Sequence, residues 1–187
     1  MQTEIIIAGF GGQGILFAGQ VLAYAAMDSG LEVTWFPSYG PEMRGGTANC
    51  TVIIADEEIG APVVKHPKAL IAMNAPSLDK FEPLVRPEGV IILNASLAAR
   101  GIEREDVHGL EIPANHIAEE LGDRRLANMV ATGALITLLP VLTLDQIKQA
   151  LAEHLPSHKR HLLDANFQAL DAGAAFARQH HPAPSLQ

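Results

Sequence analysis

The amino-acid sequence predicts an α/β fold: a doubly wound, mainly parallel sheet with helices on both faces (Rossmann-like), followed by a helical C-terminal part. Three observations predict this fold. Short apolar segments alternate with helical patterns in the N-terminal half. The first apolar segment leads through a glycine-rich loop directly into a helix. After residue 114 the spacing of apolar residues becomes helical throughout.

The composition is typical of one folded domain. The chain has 187 residues, of which 48% are hydrophobic, and this is enough to build a core of its own. We expect a single domain over residues 1–178. The polar, proline-containing residues 179–187 predict a disordered tail.

Charge and hydropathy exclude several classes of function. The net charge is −8 and no lysine or arginine cluster interrupts it, so we expect no nucleic-acid surface. No apolar run approaches the roughly 18 residues of a membrane span. The first residues lead into a strand without the basic region of a signal peptide. We therefore expect a cytoplasmic protein.

The N-terminal half contains the predicted strands. They cover residues 4–9, 31–36, 48–55, 69–74, 89–94 and 110–114. The first helix places Ile15, Ala18, Leu22 and Ala25 on one face and ends before Gly30. The segment 57–64, "EEIGAPVV", is a candidate for a hairpin that would make the sheet mixed.

Helical patterns fill the remaining segments. A short helix over 75–85 would turn Leu78, Phe81, Leu84 and Val85 inward. Further helices are predicted over residues 115–122, 125–139, 144–154 and 158–178, with Thr143 and Gln146 forming a capping box. The helix over 125–139 is apolar nearly all round, so it lies either in the core or against another subunit.

The glycine loop after the first strand has the spacing G-x-G-x-x-G, formed by Gly9, Gly11 and Gly14. In this strand–turn–helix setting the motif indicates either a phosphate near backbone N–H groups or a tight crossover without a ligand. A dinucleotide site also needs an acidic residue at the end of the second strand. Glu32 stands at the beginning of that strand, which disfavours an ordinary NAD site.

Several polar segments should meet at the carboxyl edge of the sheet, where ligands bind in open parallel sheets. They are the loops 9–14 and 37–46, Asn74, and Asn94 with Ser96. Gln13 can present its amide to a ligand or cap the helix, and asparagines at strand ends bind ligands or form turns. The candidate cofactor-binding residues are Gly9, Gly11, Gly12, Gln13, Gly14 and Asn74.

The loop 37–46, "PSYGPEMRGG", has almost nothing to bury. Arg44 can bind a phosphate or a partner's carboxylate, and Met43 can fill a partner's pocket. The alternative is a loop held by its own Glu42–Arg44 pair. We favour an interface or a ligand-binding loop, formed by Ser38, Tyr39, Glu42, Met43, Arg44, Gly45 and Gly46.

Metal and redox sites are not predicted. His154, His158 and His161 have helix-like spacing, but Pro156 interrupts it. Cys50 is the only cysteine, too few for an iron–sulfur cluster. It lies in a predicted strand, so we expect a buried structural thiol rather than a nucleophile. No clustered acid–base pair is visible, and we assign no catalytic residue.

Four motifs carry a family resemblance. "AGFGGQGILFAGQVLAYAA" (8–26), "SYGPEMRGG" (38–46), "LIAMN" (70–74) and "NMVATGAL" (128–135) resemble the gamma subunit of 2-oxoacid:ferredoxin oxidoreductases acting on 2-oxoglutarate, 2-oxoisovalerate or pyruvate. The resemblance extends from residue 4 to about 175. It implies a chain without its own cofactor, in a complex that uses thiamine diphosphate, iron–sulfur clusters and coenzyme A.

The resemblance also implies partners. These are the alpha, beta and delta-type subunits and, through the complex, ferredoxin; the isolated chain is expected to be inactive and to self-associate. In that complex a 2-oxoacid is decarboxylated oxidatively to an acyl-CoA while ferredoxin is reduced, and the gamma subunit assists assembly and closure of the active site. The alternative is a stand-alone nucleotide-binding oxidoreductase or a ligand-binding module that uses the glycine loop.

Overall fold

A computed structural model describes residues 1–39, 47–60 and 63–181 of the chain. The strands in these residues are β1 Gln2–Phe10, β2 Glu32–Tyr39, β3 Thr47–Ala55, β4 Ala69–Ala72, β5 Val90–Asn94 and β6 His108–Ile112. The helices are α1 Ile15–Asp28, α2 Ala75–Phe81, α3 Ala114–Glu120, α4 Ala127–Leu138, α5 Leu144–His154 and α6 Leu163–His180. Short 3-10 turns cover Glu82–Leu84, Ala95–Leu97, Arg124–Leu126 and Ser157–Leu162.

The strands form one mainly parallel sheet, as predicted, in the order β2-β3-β1-β4-β5-β6. β1, β4, β5 and β6 are parallel, whereas β3 runs antiparallel to both β1 and β2. The sheet is therefore mixed, but the predicted hairpin over 57–64 is wrong. Residues 57–60, 63 and 64 form no strand. The antiparallel strand is β3 itself, because β2 and β3 are consecutive along the chain and pair directly with each other.

Helices and turns cover the two faces unequally. Ile5 and Ile7 of β1 point into a large core shared with α1, α4, α5 and α6. Ile6 and Ala8 point to the opposite face, into a smaller cluster with Leu78 of α2 and neighbouring residues. The alternation follows from the two-residue period of a strand. On that second face Phe36 of edge strand β2 is 60% exposed.

Helix α4 lies in the centre of the large core. Its residues from Ala127 to Ile136 are all buried, and α6 packs along it. Of the two positions predicted for this apolar helix, the structure shows the one in the core. Because α4 is covered within the chain, it cannot be the reason for the expected self-association.

Several predicted boundaries are corrected. Residues 37–39 belong to β2 and not to a loop, and Pro37 is tolerated because an edge strand needs fewer ladder hydrogen bonds. Leu84 is partly exposed because α2 ends before Pro83 and a 3-10 turn follows. The tail predicted over 179–187 begins inside α6, and residues 182–187 lie outside the described part.

Other local predictions are confirmed. Ile15, Ala18, Leu22 and Ala25 are buried on one face of α1. Thr143 caps α5 in a capping box, in which Gln146 Oε1 accepts a hydrogen bond from Thr143 N at 2.8 Å. Among the described residues, none of the helices combines the length and the apolar character that crossing a membrane requires.

Candidate functional site

The carboxyl edge of the sheet brings the predicted segments together. Tyr39 at the end of β2 pairs with Ala48, and Ala48 pairs with Gly9 at the end of β1. β4 and β5 end beside them, which places Asn74 and Asn94 at the same edge. Glu32 lies at the other edge, opposite Ala55. Among the described residues, the end of β2 from Phe36 to Tyr39 contains no carboxylate.

The glycine loop turns sharply between β1 and α1. Gly12 and Gly14 have φ of +93° and +72°, a region that favours glycine. A side chain at Gly9 would meet Gln13 Oε1 at 2.5 Å and Ile15 Cδ1 at 2.7 Å. Helix α1 starts at Ile15 with no side-chain cap and no acidic residue in its first turn. Its N-terminus therefore keeps free N–H groups and a partial positive charge.

Gln13 acts inside the protein. Its Oε1 accepts hydrogen bonds from Phe10 N at 2.6 Å and from Asn74 Nδ2 at 3.3 Å. Its Nε2 donates to Met73 O at 3.3 Å. The side chain neither caps α1 nor leaves its oxygen open to a ligand. It fastens the glycine loop to the end of β4.

The two strand-end asparagines form turns, which was one of the predicted alternatives. Asn74 is buried and its Oδ1 accepts from Ser77 N at 2.9 Å, capping α2. Asn94 is buried as well, and its Oδ1 accepts from Ser96 N at 3.3 Å. Their side-chain amides therefore stabilise the turns that follow β4 and β5 at this edge.

The side-chain amide of Asn115 lies between Asn94 and Arg124, and neither of its two orientations gives both neighbours a hydrogen bond. Asn94 Nδ2 donates to Met73 O at 3.3 Å and to Asn115 Oδ1 at 3.0 Å. In that orientation the Asn115 nitrogen faces the Arg124 guanidinium. The reversed amide accepts from Arg124 Nε at 2.9 Å and Nη2 at 3.0 Å, but then two amide nitrogens oppose each other at 3.0 Å. The reversed amide accepts from only two of the five N–H donors of Arg124, so hydrogen-bonding capacity remains on Arg124 in either orientation.

Arg124 and Arg125 differ in how well they are neutralised. Arg125 forms a close pair with Asp123, with Nη2 2.7 Å from Oδ2. These hydrogen bonds hold the pKa of Asp123 below its ordinary value. The carboxylate nearest to Arg124 among the described residues is Glu119, with Nε 3.7 Å from Oε1. Arg124 is therefore the arginine with more capacity to bind an anion.

A cleft of about 260 Å³ opens between the glycine loop and this arginine pair. Its lining is formed by Gly12, Gln13, Met73, Leu97, Asn115, Arg124, Arg125 and Ala127. Nearby, Asn128 Nδ2 donates to Gly14 O at 3.0 Å and joins α4 to the loop. The sequence predicted Gly12 and Gln13 at this site, whereas Asn115, Arg124, Arg125 and Asn128 were missed. The available signal was the Arg124–Arg125 doublet in an acidic chain.

The predicted interface loop is only partly described. Ser38 is exposed near the end of β2, and Tyr39 is the last residue of that strand. Glu42, Met43, Arg44, Gly45 and Gly46 lie outside the described residues. Their predicted role therefore stays a prediction. β2 ends at the same edge as the glycine loop, so the segment starts where it was expected.

Cys50 is the buried structural thiol that the sequence predicted. It lies on β3, and its Sγ donates a weak hydrogen bond to Ile15 O at 3.5 Å. Burial raises its pKa to about 12, against smaller opposing effects of the neighbouring Trp35 and Gly19. A thiol in this state is a poor nucleophile and a poor metal ligand.

Comparison with known proteins adds the family. The model of the pyruvate ferredoxin/flavodoxin oxidoreductase family matches residues 4–176. The chain belongs to this family. The "GGQG" loop, which carried part of the resemblance in the sequence, lines the cleft, and Asn128, the first residue of "NMVATGAL", donates a hydrogen bond to it.

Two relatives from Methanothermobacter marburgensis show how this domain is used. The ketoisovalerate oxidoreductase subunit VorA is 40% identical over 95% of this chain, which spans 37% of VorA. The 2-oxoglutarate synthase subunit KorC is 35% identical, over 92% of this chain and 95% of its own length. The chain thus matches a third or so of the first relative and nearly all of the second. Within the family the domain occurs in long and in short chains.

Solved structures show the same fold. The gamma subunit of a keto/oxoacid ferredoxin oxidoreductase from Geobacter sulfurreducens superposes with a TM-score of 0.82 at 27% identity, over 95% of this chain and 99% of that one. A 2-oxoglutarate:ferredoxin oxidoreductase chain from Magnetococcus marinus gives 0.87 at 26% identity, over 100% of this chain and 32% of that one. That structure was determined with 2-oxoglutarate, coenzyme A and succinyl-CoA bound.

Proposed function

We propose that this chain is the gamma subunit of a 2-oxoacid:ferredoxin oxidoreductase. The complex would decarboxylate a 2-oxoacid oxidatively with thiamine diphosphate, form an acyl-CoA and pass electrons through iron–sulfur clusters to ferredoxin. The family match over residues 4–176 is the observation that carries this proposal. The nearly full-length similarity to KorC and to the Geobacter gamma subunit supports the subunit assignment.

The residues of the chain fit a subunit that carries no cofactor of its own. A cluster needs several accessible thiolates, whereas the one cysteine is buried with a raised pKa. The edge contains arginines and amides but no carboxylate–histidine pair placed for proton transfer among its lining residues. Thiamine diphosphate and the clusters would therefore be held by alpha, beta and delta-type partners, in a cytoplasmic complex.

The carboxyl edge would take a phosphate-bearing ligand, with coenzyme A as the candidate. Arg124 offers donors to an anion, and the N-terminus of α1 adds a positive potential beside Gly12 and Gly14. The glycines Gly9, Gly11, Gly12 and Gly14 let the ligand approach the backbone. Gln13 and Asn74 would act as positioning residues, because their side chains already bind within the protein.

The segment from Ser38 to Gly46 would close over the ligand or bind a neighbouring subunit, with Arg44 as its main contact. The exposed face around Phe36 continues from the same strand. Both features suit a chain that is covered in a complex. A stand-alone nucleotide-binding enzyme is the alternative, which the position of Glu32 at the beginning of β2 disfavours.

The experiment is a reconstituted complex assayed with varied coenzyme A and varied oxoacid. Arg44→Ala and Arg124→Gln should each raise the Michaelis constant for coenzyme A, or weaken assembly, by about 30-fold, equivalent to about 2 kcal/mol. The oxoacid constant should change much less. Melting of the free Arg124→Gln subunit should shift little, because Arg124 is 62% exposed and exposed side chains matter by under about 0.5 kcal/mol. We expect the same of Arg44→Ala.

Arg178→Gln is the matched control. Arg178 lies in the last turn of α6, where His181 packs edge-to-face against His108 at the start of β6. Arg178 is exposed, and the end of α6 lies at the opposite edge of the sheet, so its replacement should leave assembly and both constants unchanged. If Arg44→Ala and Arg124→Gln behave like this control, the carboxyl edge is not the ligand site.

A further inference from the structure

A second cluster of polar side chains lies away from the carboxyl edge, where α1 and α5 both end. Asp28 is the last residue of α1, and Glu153 and His154 are the last two residues of α5. One ligand atom from each of the three lies within 4.8 Å of the others. We call Asp28, Glu153 and His154 the α1–α5 cluster. Nothing in the proposed function uses it.

The imidazole of His154 is held in a fixed orientation. Its ring stacks on Tyr24, with centroids 4.0 Å apart and planes 5° from parallel. Tyr24 lies one turn before Asp28 on the same helix, and His154 Nε2 is 2.8 Å from Asp28 Oδ2. The side chains of His154 and Asp28 are 29% and 25% exposed. The nitrogen therefore points at the carboxylate in a place that solvent ions can still reach.

The electrostatics of the cluster favour a cation. Two carboxylates meet there, and the C-terminal ends of two helices add their partial negative charges. Within the described residues, the last turn of α1 contains no basic residue and the last turn of α5 contains only His154. Gln149 Nε2 donates to Glu153 Oε1 at 2.9 Å, which orients this carboxylate without neutralising it.

A hydrogen bond between His154 and Asp28 accounts for two of the three residues only. The Glu153 carboxylate, which lies within 4.8 Å of both, takes no part in it. A bound cation would account for all three, since an ion with bonds of about 2.1 Å holds tetrahedral ligands about 3.4 Å apart. The separations of 2.8 Å and up to 4.8 Å lie on either side of that spacing, so small side-chain rotations suffice.

We propose that Asp28, Glu153 and His154 form a site for a divalent transition-metal ion, with Zn²⁺ as the best fit. One imidazole and two carboxylates match the ligands that Zn²⁺ takes, whereas Ca²⁺ and Mg²⁺ prefer oxygen ligands alone. The ion would join the C-terminal ends of α1 and α5. Because α1 begins at the glycine loop, the site would stabilise the helix that supports the carboxyl edge.

This inference differs from the sequence prediction, which assigned no metal site after considering only His154, His158 and His161. The ligands come from two helices separated by more than a hundred residues, so their proximity is a property of the fold. His154 alone belongs to both sets. The site requires neither the partner subunits nor coenzyme A, and its test is independent of the proposed function.

The test is a calorimetric titration of the full chain with Zn²⁺ after treatment with a chelator, followed by a Co²⁺ absorption spectrum. One ion per chain is expected, with a visible Co²⁺ band and a higher melting temperature with Zn²⁺. Glu153→Gln, Asp28→Asn and His154→Ala should each weaken binding by at least about tenfold, because even outer partners of a metal ligand are worth roughly 10–100-fold.

His116→Ala is the matched control, since His116 Nε2 lies 3.3 Å from Glu120 Oε1 in an exposed pair with one carboxylate. It should bind Zn²⁺ like the wild type. Glu153→Gln is the decisive variant, because an exposed residue can be changed without unfolding the chain. Absence of binding, unchanged binding by Glu153→Gln, or binding lost only in a His180→Ala, His181→Ala double variant would each overturn the site.

Discussion

Gly12 and Gly14 have similar backbone conformations but different surroundings. Both have positive φ, so alanine is strained at either position by about 1–2 kcal/mol. A Cβ at Gly12 would meet nothing within 4 Å, whereas at Gly14 it would collide with the Asn128 amide. That amide donates the hydrogen bond that joins α4 to the loop.

We therefore expect Gly14→Ala to lower the free energy of unfolding by at least about 2 kcal/mol more than Gly12→Ala. Chemical denaturation of the two variants measures the difference directly, because strain in the backbone is common to both. If both variants lose the same free energy of unfolding, the contact between Asn128 and the loop does not contribute measurably to stability.

The candidate site shows what could be predicted from single residues. Its glycines and the positions of Asn74 and Asn94 follow from local rules about strand ends and turns, and they were predicted. Arg124, Asn115 and Asn128 were missed because they reach the glycine loop from more than a hundred residues away. Gln13 was assigned to a ligand or a cap because its partner Met73 lies 60 residues away along the chain.

At the scale of elements, α4 and α6 approach so closely that their backbones touch. A Cβ at Gly173 of α6 would lie 2.7 Å from the Val130 carbonyl carbon of α4, and a Cβ at Gly133 would lie 2.8 Å from the Leu170 carbonyl carbon. In an exposed helix, replacing glycine with alanine stabilises the helix by about 1 kcal/mol. Here the added methyl group has no space.

Gly173→Ala should therefore destabilise the protein by about 2 kcal/mol, since overpacking of a tight core costs about 1–3 kcal/mol. Ala172→Gly, at the half-buried neighbouring position, is the control and should cost only the helix propensity of about 1 kcal/mol. Thermal unfolding of both variants is the measurement. A more stable Gly173→Ala protein would show that the two helices can separate at little cost.

The second face of the sheet depends on Glu82. This buried carboxylate accepts from Arg100 Nη1 at 2.8 Å and from the backbone N–H groups of Glu103 and Arg104 at 2.8 Å and 3.1 Å. Burial alone would raise its pKa, but the hydrogen bonds from Arg100 and the two amides outweigh burial and lower it below the ordinary 4.5. The interaction joins α2 to the segment before β6.

A carboxyl group whose pKa is lower in the folded than in the unfolded state stabilises the folded protein at pH values above the unfolded-state pKa. This stabilisation should be lost as pH falls below 4.5 towards the folded value. Glu82→Gln should cost about 1–3 kcal/mol at pH 7, and its difference from the wild type should shrink with acidification. Unfolding curves from about pH 3 to about pH 7 measure this difference in stability. Glu58→Gln, which changes an exposed carboxyl group, is the control. A pH-independent difference would contradict the pKa shift.

The elements also show where sequence reasoning is limited. The strands and helices were located because buried strands and helical faces have distinct periods. The direction of β3 was missed because a continuous apolar strand does not indicate which neighbour it pairs with. The end of α2 was misplaced because Pro83 converts the last turn into a 3-10 turn.

At the scale of the whole molecule, the proposed function requires that other subunits cover part of this chain. Helix α4 is internal, so we propose the carboxyl edge with its arginines and the exposed face around Phe36 as the surfaces that bind them. If the chain is the gamma subunit, other chains must supply the redox groups, and this requirement is the central claim of the proposal.

Purification of the protein from its native source, with identification of the co-eluting chains, tests that claim most directly. The account predicts alpha, beta and delta-type subunits in fixed proportion and a preparation that reduces ferredoxin only with thiamine diphosphate, a 2-oxoacid and coenzyme A present. A chain that elutes alone and carries a bound nucleotide would contradict it.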